Sequence, residues 1–172
     1  DTARTMLHEV AQLAEGPIAA SFVEADRNPP VFDPATHSIT VSDDIKRTVQ
    51  AVKDSQWWLV GVSEEIGGVA APAPLTWAIA EMLFCANPSV AFLHALGPAM
   101  AQALAVEGNE QQRIWAAKGL ERGWAATMVL TEADAGSDVG AGRAKAIAQP
   151  DGTWHIDGVK RFISGGDVGD TA

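Results

Sequence analysis

The sequence predicts an α+β protein in which an N-terminal all-α helical domain is followed by the start of an antiparallel β domain. Two observations predict this order. Apolar residues recur at helical spacing before Gly123, whereas a continuous apolar run and short segments bounded by Asp-Gly turns follow it. We therefore expect a helical domain at residues 1–123 and an incomplete β domain at residues 124–172.

The composition describes a folding globular chain. It has 172 residues, of which 47% are hydrophobic and 20% are charged, enough for one domain or for one domain and part of another. The net charge of −10 argues against a nucleic-acid partner, which requires clustered Lys and Arg. Cys85 is the one cysteine, so we expect no internal disulfide and a cytoplasmic protein.

Helices are predicted in chain order from apolar periodicity and from capping or breaking residues. A first helical block is interrupted or restarted at Gly16-Pro17 and ends at Asn28-Pro29-Pro30. Ser42 begins the next helix, because serine is a favoured N-cap and acidic residues follow it. The other predicted helices cover residues 75–84, 98–106 and 109–120.

One uncharged segment, residues 82–106, is long enough to span a bilayer. Pro88 and Pro98 break its helical pattern, because proline has no N–H and clashes with the preceding turn. We therefore predict two short buried helices with a bend between them, and no membrane span.

The predicted β domain begins with the apolar run at residues 124–130. Asp151-Gly152 and Asp157-Gly158 are turn dipeptides that flank a second strand candidate, and residues 159–164 are a further candidate. Three or four strands leave sheet edges unpaired. We therefore expect the chain to be a fragment, or to need a partner that completes the sheet.

Several familiar catalytic and metal-binding patterns are not met. The segment "GAGRAK" begins like a dinucleotide fingerprint but has Lys145 in place of the third glycine. Ser137 lacks the flanking glycines of a nucleophile elbow. The four histidines have no metal-ligand spacing, and the acidic residues Glu132, Asp134 and Asp138 lack calcium-loop spacing. We predict no metal site.

The segment "MVLTEADAGSD", residues 128–138, carries the most specific signal. An apolar run ends at Thr131, and a turn with acidic residues, Gly136 and Ser137 follows. A hydroxyl, an approachable backbone and a Gly-Ser step fit a bound anion, a bound flat ring system or a plain structural turn.

This segment resembles the flavin-contacting motif of the acyl-CoA dehydrogenases, an apolar residue with Thr-Glu-Pro and then Ala-Gly-Ser-Asp. "VKRFISG" from Val159 resembles the second flavin motif of that family, Lys-x-Trp-Ile-Thr-Asn. Upstream, "VGVSEEIGG" from Val60 and "GNEQQRIWAAKGLERG" from Gly108 are similar to elements of its N-terminal helical domain. "DRNPPVFDP" looks like the larger bacterial members.

The resemblance implies an FAD-dependent enzyme of fatty-acid β-oxidation. Such an enzyme removes a proton next to the thioester, transfers a hydride to flavin N5 and converts acyl-CoA to trans-2-enoyl-CoA. It further implies an acyl-CoA substrate, an electron-transfer flavoprotein or similar acceptor, and a homo-oligomer.

The resemblance also implies which residues bind FAD. They are Met128, Leu130, Thr131, Gly136, Ser137, Phe162, Ile163 and Ser164. The hydroxyls of Thr131 and Ser164 would face the N5 and O4 region, and Phe162 would pack on the flavin as the tryptophan of the family does. Gly136 would allow close approach, and Ser137 would contact the pyrophosphate or the CoA end of the substrate.

The sequence departs from the family pattern at several positions. Ala133 replaces the usual proline, Phe162 replaces tryptophan, Ser164 replaces threonine and Gly165 replaces asparagine. The proton-abstracting glutamate of the family lies in a C-terminal helical domain. We therefore assign no catalytic residue to this chain and expect it to be inactive alone. Glu132 is instead expected to be a structural acid that binds local backbone N–H groups.

Two alternatives stay open. The first is a truncated, non-catalytic paralogue that binds a partner subunit or an acyl-CoA without turnover. The second is an acyl-CoA oxidase, which shares the opening chemistry and differs in the access of oxygen to the flavin.

Overall fold

The computed structural model describes residues 1–166, in which helices lead into a short β hairpin. The helices are α1 (Thr2–Leu13), α2 (Ala19–Arg27), α3 (Asp43–Ser55), α4 (Ala73–Ala86), α5 (Pro88–Glu107) and α6 (Glu110–Arg122). The strands are β1 (Val31–Asp33), β2 (Ser38–Thr40), β3 (Lys145–Ala148) and β4 (Trp154–Asp157). The predicted α+β order is confirmed. Residues 167–172, the end of the predicted β domain, lie outside the described residues, and the division at residue 123 stays a prediction.

The predicted interruption between the first two helices is confirmed. A single π-helical turn, Ala14–Ile18, joins α1 to α2, and Gly16 within it has non-helical backbone angles (φ −89°, ψ −108°). Pro17 cannot donate a backbone hydrogen bond, which favours a break in the helical ladder at this point. The kink turns Ile18 into the core, where its side chain is 1% exposed.

The predicted start of α3 is also confirmed. The Ser42 hydroxyl accepts a hydrogen bond from the N–H of Ile45, at 3.4 Å, and Asp43 and Asp44 occupy the first turn. Ile45 and Val52 on one face of α3 pack into a core with Val41, Ile18 and Val90. The cap thus fixes where α3 begins, and from this start Ile45 and Val52 lie on the buried face of the helix.

A second core lies between α5 and α6. It contains Val62, Ala101, Ala116 and Leu120, and half-buried side chains including Trp58 and Leu104 pack around it. The small alanines on the facing sides let the two helix backbones approach closely. This core supports the point where the chain leaves α6.

The predicted bend at Pro98 is wrong, whereas the break before Pro88 is confirmed. α5 continues through Pro98 to Glu107. Val90 and Ala91 before the proline and Ala101 after it are buried, so packing holds both halves of the helix in line. By length and composition α5 could cross a membrane, a test that buried helices of other proteins also pass. The absence of a membrane span stays a prediction.

The hairpin of β1 and β2 was not predicted. The strands pair antiparallel, with Phe32 opposite Ile39. Asp33 closes the turn, because its carboxylate accepts hydrogen bonds from the N–H of Ala35 at 2.8 Å and the hydroxyl of Thr36 at 2.9 Å. His37 takes a left-handed backbone conformation (φ 53°) in the turn.

The β part differs from the prediction in two segments. Residues 124–130 and 159–164 form no strand within the described part of the chain. A strand needs a partner that offers a ladder of hydrogen bonds. Here a single backbone bond, from Arg161 N–H to the carbonyl of Thr131, joins residues 159–164 to the residue that follows the apolar run. Phe162 also has a positive φ of 57°, which ends the extended backbone. The predicted strand that contains "TWHI" is confirmed as β4, which pairs antiparallel with β3.

Candidate functional site

The apolar run that leads to the site leaves α6 through a tight turn. Gly123 adopts the left-handed conformation (φ 61°) that ends many helices, and Trp124 N–H donates to the Gly119 carbonyl at 2.9 Å. The backbone then crosses α5 closely. A Cβ at Gly97 would lie 2.5 Å from the Trp124 carbonyl oxygen, so only glycine permits this crossing.

A two-residue turn follows the run. The N–H of Glu132 donates to the Ala135 carbonyl at 3.1 Å, and the N–H of Ala135 donates back to Glu132 at 3.3 Å. Ala135 is 2% exposed, so its methyl group anchors the turn. Both backbone hydrogen bonds form although Ala133 stands where proline is usual in the family that this segment resembles.

Glu132 ties this turn to a distant segment. Its carboxylate accepts hydrogen bonds from the backbone N–H groups of Arg143, at 2.6 Å, and Ala144, at 3.0 Å. A Cβ at Gly142 would lie 3.0 Å from the same carboxylate, so glycine leaves room for it. The expectation that Glu132 is a structural acid that binds backbone N–H groups is confirmed, but these groups belong to a segment 11 and 12 residues away and are not local.

Lys160 joins the second motif to the first. Its ammonium group donates to the Glu132 carboxylate at 2.7 Å and to the Leu130 carbonyl at 3.0 Å. Beside it, Arg161 N–H donates to the Thr131 carbonyl at 2.9 Å. The side chains of Glu132 and Lys160 are only 10% and 28% exposed, so water screens their ion pair less than a surface pair. We call these contacts of Glu132 and Lys160 the carboxylate clamp.

The clamp stabilises the charged form of Glu132. The hydrogen bond from Arg143 N–H, then the ammonium group of Lys160 and then Ala144 N–H lower the pKa of the Glu132 carboxyl from 4.5 to about 2. A lowered folded-state pKa contributes stability that is complete above the unfolded value and is lost as pH falls through the folded value.

The pH dependence of stability is therefore expected to show this clamp. Between pH 4.5 and about 2, protonation of Glu132 removes its contribution, so the melting temperature falls more steeply than in the Glu132→Gln variant. Melting temperatures of both proteins from pH 2 to 7 measure this difference. The carboxylate of Glu121, on α6, forms no hydrogen bond or ion pair among the described residues, so Glu121→Gln is the matched control and keeps the wild-type slope. Parallel curves for wild type and Glu132→Gln would contradict the clamp.

The structure brings part of the predicted flavin site together. Lys160 and Arg161 hold residues 159–164 alongside Leu130 and Thr131. Met128 and Leu130 are about half exposed, Phe162 is 82% exposed and Ile163 is half-buried. Ser164 lies against the N-terminal half of α5, where it lines a cavity with Ser89, Phe92 and Leu93.

Gly136 and Ser137 are less well tied to the rest. Both are exposed beyond the turn, and within residues 1–166 no hydrogen bond links either of them to Phe162, Ile163 or Ser164. A Cβ at Gly136 would meet nothing within 4 Å, so open space borders its backbone. Their role in binding stays a prediction.

Thr131 offers the donors that a flat, electron-rich ligand needs. In the described part of the chain, neither the N–H nor the hydroxyl of Thr131 donates a hydrogen bond, although Thr131 is half-buried. The peptide bond before it is trans, so its N–H points opposite to the Leu130 carbonyl that Lys160 holds. The residues present thus fit a flavin edge on the side of Thr131 away from the clamp.

Sequence reasoning missed three residues that build this site. The sequence indicates Lys160 only as part of a motif, and it predicts no role for Gly142 or Gly97. The opposite charges of Lys160 and Glu132, each within one of the two flavin-like motifs, are the signal that could have indicated the lysine. The glycines give no local signal, because each is required by a backbone or carboxylate distant in sequence. Among the described residues, no group of three or more His, Cys, Asp or Glu could hold a metal ion.

Comparison with curated proteins identifies two dehydrogenase relatives. The sequence is 56% identical over 170 residues to the broad-specificity linear acyl-CoA dehydrogenase FadE5 of Mycobacterium tuberculosis, which covers 99% of this chain and 28% of that protein. It is 31% identical over 130 residues to the 3-methylmercaptopropionyl-CoA dehydrogenase of Ruegeria pomeroyi, which covers 75% of this chain and 22% of that protein. The chain therefore spans less than a third of either relative. No protein-family model matches the sequence.

Comparison with solved structures identifies the fold. A chain from the structure of the electron transferring flavoprotein of Acidaminococcus fermentans superimposes with a TM-score of 0.78, and butyryl-CoA dehydrogenase from Megasphaera elsdenii with 0.76. Each comparison covers 99% of this chain and 42% of the other, at 20% identity. At this identity the likeness establishes the shared fold.

Proposed function

Because the chain belongs to the acyl-CoA dehydrogenase family and corresponds to its N-terminal part, we propose that it supplies one wall of an FAD site in an enzyme that oxidises acyl-CoA to trans-2-enoyl-CoA. The observation that carries the proposal is the contact between the two flavin-like motifs. Lys160 and Arg161 from the second motif bind the carbonyls of Leu130 and Thr131 in the first.

In this proposal the flavin lies against Thr131. The N–H and hydroxyl of Thr131 donate to the ring, Met128 and Leu130 cover it with apolar surface, and Phe162 packs on it. Ile163 and Ser164 complete this wall, with the Ser164 hydroxyl as a further donor. Gly136 lets the ligand approach the protein backbone closely, and Ser137 binds the pyrophosphate or the CoA end of the substrate.

The flavin supplies the acceptor for the hydride, which no amino-acid side chain provides. The protein residues contribute hydrogen bonds that favour the electron-rich, reduced ring and an apolar cover that keeps water away. The described residues offer no glutamate with a free carboxylate at this wall, because Glu132 is held by the clamp. The base that removes the substrate proton is therefore proposed to come from outside these residues.

The proposed substrates and partners follow the relatives. One relative is named for linear acyl-CoA, and a straight-chain acyl-CoA of fatty-acid β-oxidation is the proposed substrate. An electron-transfer flavoprotein or a similar acceptor would reoxidise the enzyme. A cytoplasmic homo-oligomer without a membrane span is proposed as the working form.

An absorption spectrum of the complete protein that carries this sequence tests the proposal. A bound flavin band is expected, and anaerobic addition of a straight-chain acyl-CoA is expected to bleach it. Free CoA is the control and leaves the band unchanged.

Two results would contradict parts of this account. A protein that neither retains flavin nor binds added FAD is not a flavoprotein, and the proposal fails. Retained flavin that no acyl-CoA bleaches would contradict the dehydrogenase activity and favour the non-catalytic binding module.

A further inference from the structure

Lys160 makes contacts that a surface lysine does not make. Its ammonium group reaches the Leu130 carbonyl at 3.0 Å, across 30 residues of chain, and the Glu132 carboxylate at 2.7 Å. Its side chain is 28% exposed. A lysine that is ordered between two fixed acceptors loses side-chain entropy, so the contacts must contribute enough to offset that loss.

The Leu130 contact determines how the next peptide group is oriented. A trans peptide places the C=O and the following N–H on opposite sides of the chain. Because Lys160 holds the Leu130 carbonyl on one side, the Thr131 N–H points to the other. The Thr131 carbonyl is held in turn by Arg161 N–H, so both peptide groups that flank Thr131 are fixed.

Glu132 keeps the lysine in place and balances its charge. The carboxylate is itself fixed by the N–H groups of Arg143 and Ala144, so Lys160 meets an acceptor that does not move. With its charge paired, Lys160 acts on a neighbouring ligand mainly through the orientation of the backbone.

We propose that Lys160 is a positioning residue for the flavin, which it serves by holding the Leu130 carbonyl so that the Thr131 N–H is aimed at the reduced ring. The inference rests on the proposed function. A fixed donor aimed at a ring that gains negative charge stabilises the reduced form more than the oxidised form. Lys160 therefore controls the reduction potential of the flavin without touching it.

Replacement of Lys160 in the complete protein tests this inference. Lys160→Met keeps the length of the side chain and removes its donors. We expect the reduced flavin to bind about tenfold less tightly relative to the oxidised form. For a two-electron couple, a tenfold change lowers the reduction potential by about 30 mV. Anaerobic reduction against a dye of known potential measures it.

Two further variants separate positioning from other effects. Lys160→Arg keeps a cationic donor and is expected to restore most of the potential. Lys145→Met removes an exposed lysine next to Ala144 and is expected to leave the potential unchanged. If Lys160→Met does not fold, Lys160→Gln is measured instead, and the same loss is expected because its shorter side chain cannot reach both acceptors.

The outcomes distinguish the inference from the proposed function. If the wild type holds flavin and Lys160→Met has the same flavin reduction potential as the wild type, the proposed role of Lys160 is overturned and the proposed function is not. This holds even if the variant melts at a lower temperature. An equal shift in Lys145→Met would also overturn it, since charge removal alone would then explain the effect. Wild-type protein without flavin would overturn both proposals.

Discussion

Replacing Asn87 with alanine is expected to lower the free energy of unfolding by about 2–4 kcal/mol. Asn87 is 1% exposed, and its amide oxygen caps α5 by accepting the N–H groups of Ser89 and Val90. Its amide nitrogen donates to the Ser21 hydroxyl at 2.9 Å, which donates in turn to the Ile18 carbonyl. Alanine removes both the cap of α5 and the buried hydrogen bond from Asn87 to Ser21 in α2, so two losses add.

Asn109 provides the matched control for this prediction. It caps α6 through the Gln112 N–H, but its side chain is exposed and water can replace the lost hydrogen bond. Asn109→Ala is expected to cost about 1 kcal/mol. Urea titrations of the complete protein followed by circular dichroism compare the two variants. Equal losses would show that the buried link to Ser21 contributes nothing.

Replacing Gly97 with alanine is expected to lower the free energy of unfolding by about 1–3 kcal/mol, although alanine favours helices more than glycine does. The new methyl group would lie 2.5 Å from the Trp124 carbonyl oxygen, and backbone atoms cannot rotate away as a side chain can. The run that leads to Thr131 must then move off α5. Weaker FAD binding is expected with the loss of stability.

Gly119 tests whether the close crossing is the cause. It also lies in a helix against Trp124, but a Cβ there would be 3.4 Å from the Trp124 ring, an ordinary contact distance. Gly119→Ala is expected to be neutral or to stabilise the protein by up to about 1 kcal/mol. Thermal melts measure the stability of both variants and FAD titrations measure their affinity for FAD. A Gly97→Ala variant as stable as Gly119→Ala would contradict the crossing that the structure shows.

Local signals in the sequence predicted the local features of the fold. Ser42 as an N-cap and the break at Gly16-Pro17 depend on residues within one helical turn, so the sequence around them is sufficient. Pro98 shows the limit of such signals. Proline removes one hydrogen bond from α5, but the burial of Val90 and Ala101 on either side outweighs that loss.

The strand predictions for residues 124–130 and 159–164 were wrong for a related reason, whereas the strand that contains "TWHI" was confirmed as β4. An apolar run such as residues 124–130 shows that a segment is suited to a strand, but a strand exists only where another segment pairs with it. Within residues 1–166 that partner is absent, and Trp124 at the start of the run lies against Gly97 of α5 and Gly119 of α6.

The candidate site was predicted as two motifs but not as one structure. The resemblance predicted a role for Thr131 and its neighbours, which stays a prediction, and the expectation for Glu132 followed from its place in the turn. The contact from Lys160 to Leu130 could not be predicted, because it joins residues 30 positions apart through a backbone carbonyl, which is the same in every residue. The pattern of side chains in the sequence therefore does not indicate such a contact.

The most direct test of the central claim, that the two motifs form one wall of a flavin site around Thr131, is the FAD dissociation constant of Thr131→Val in the complete protein. Valine keeps the shape of threonine and removes its hydroxyl donor, so binding is expected to weaken roughly three- to tenfold. Thr40→Val, on the exposed strand β2, is the control and is expected to bind FAD as the wild type does. Equal affinity of Thr131→Val and wild type would contradict the placement of the flavin against Thr131.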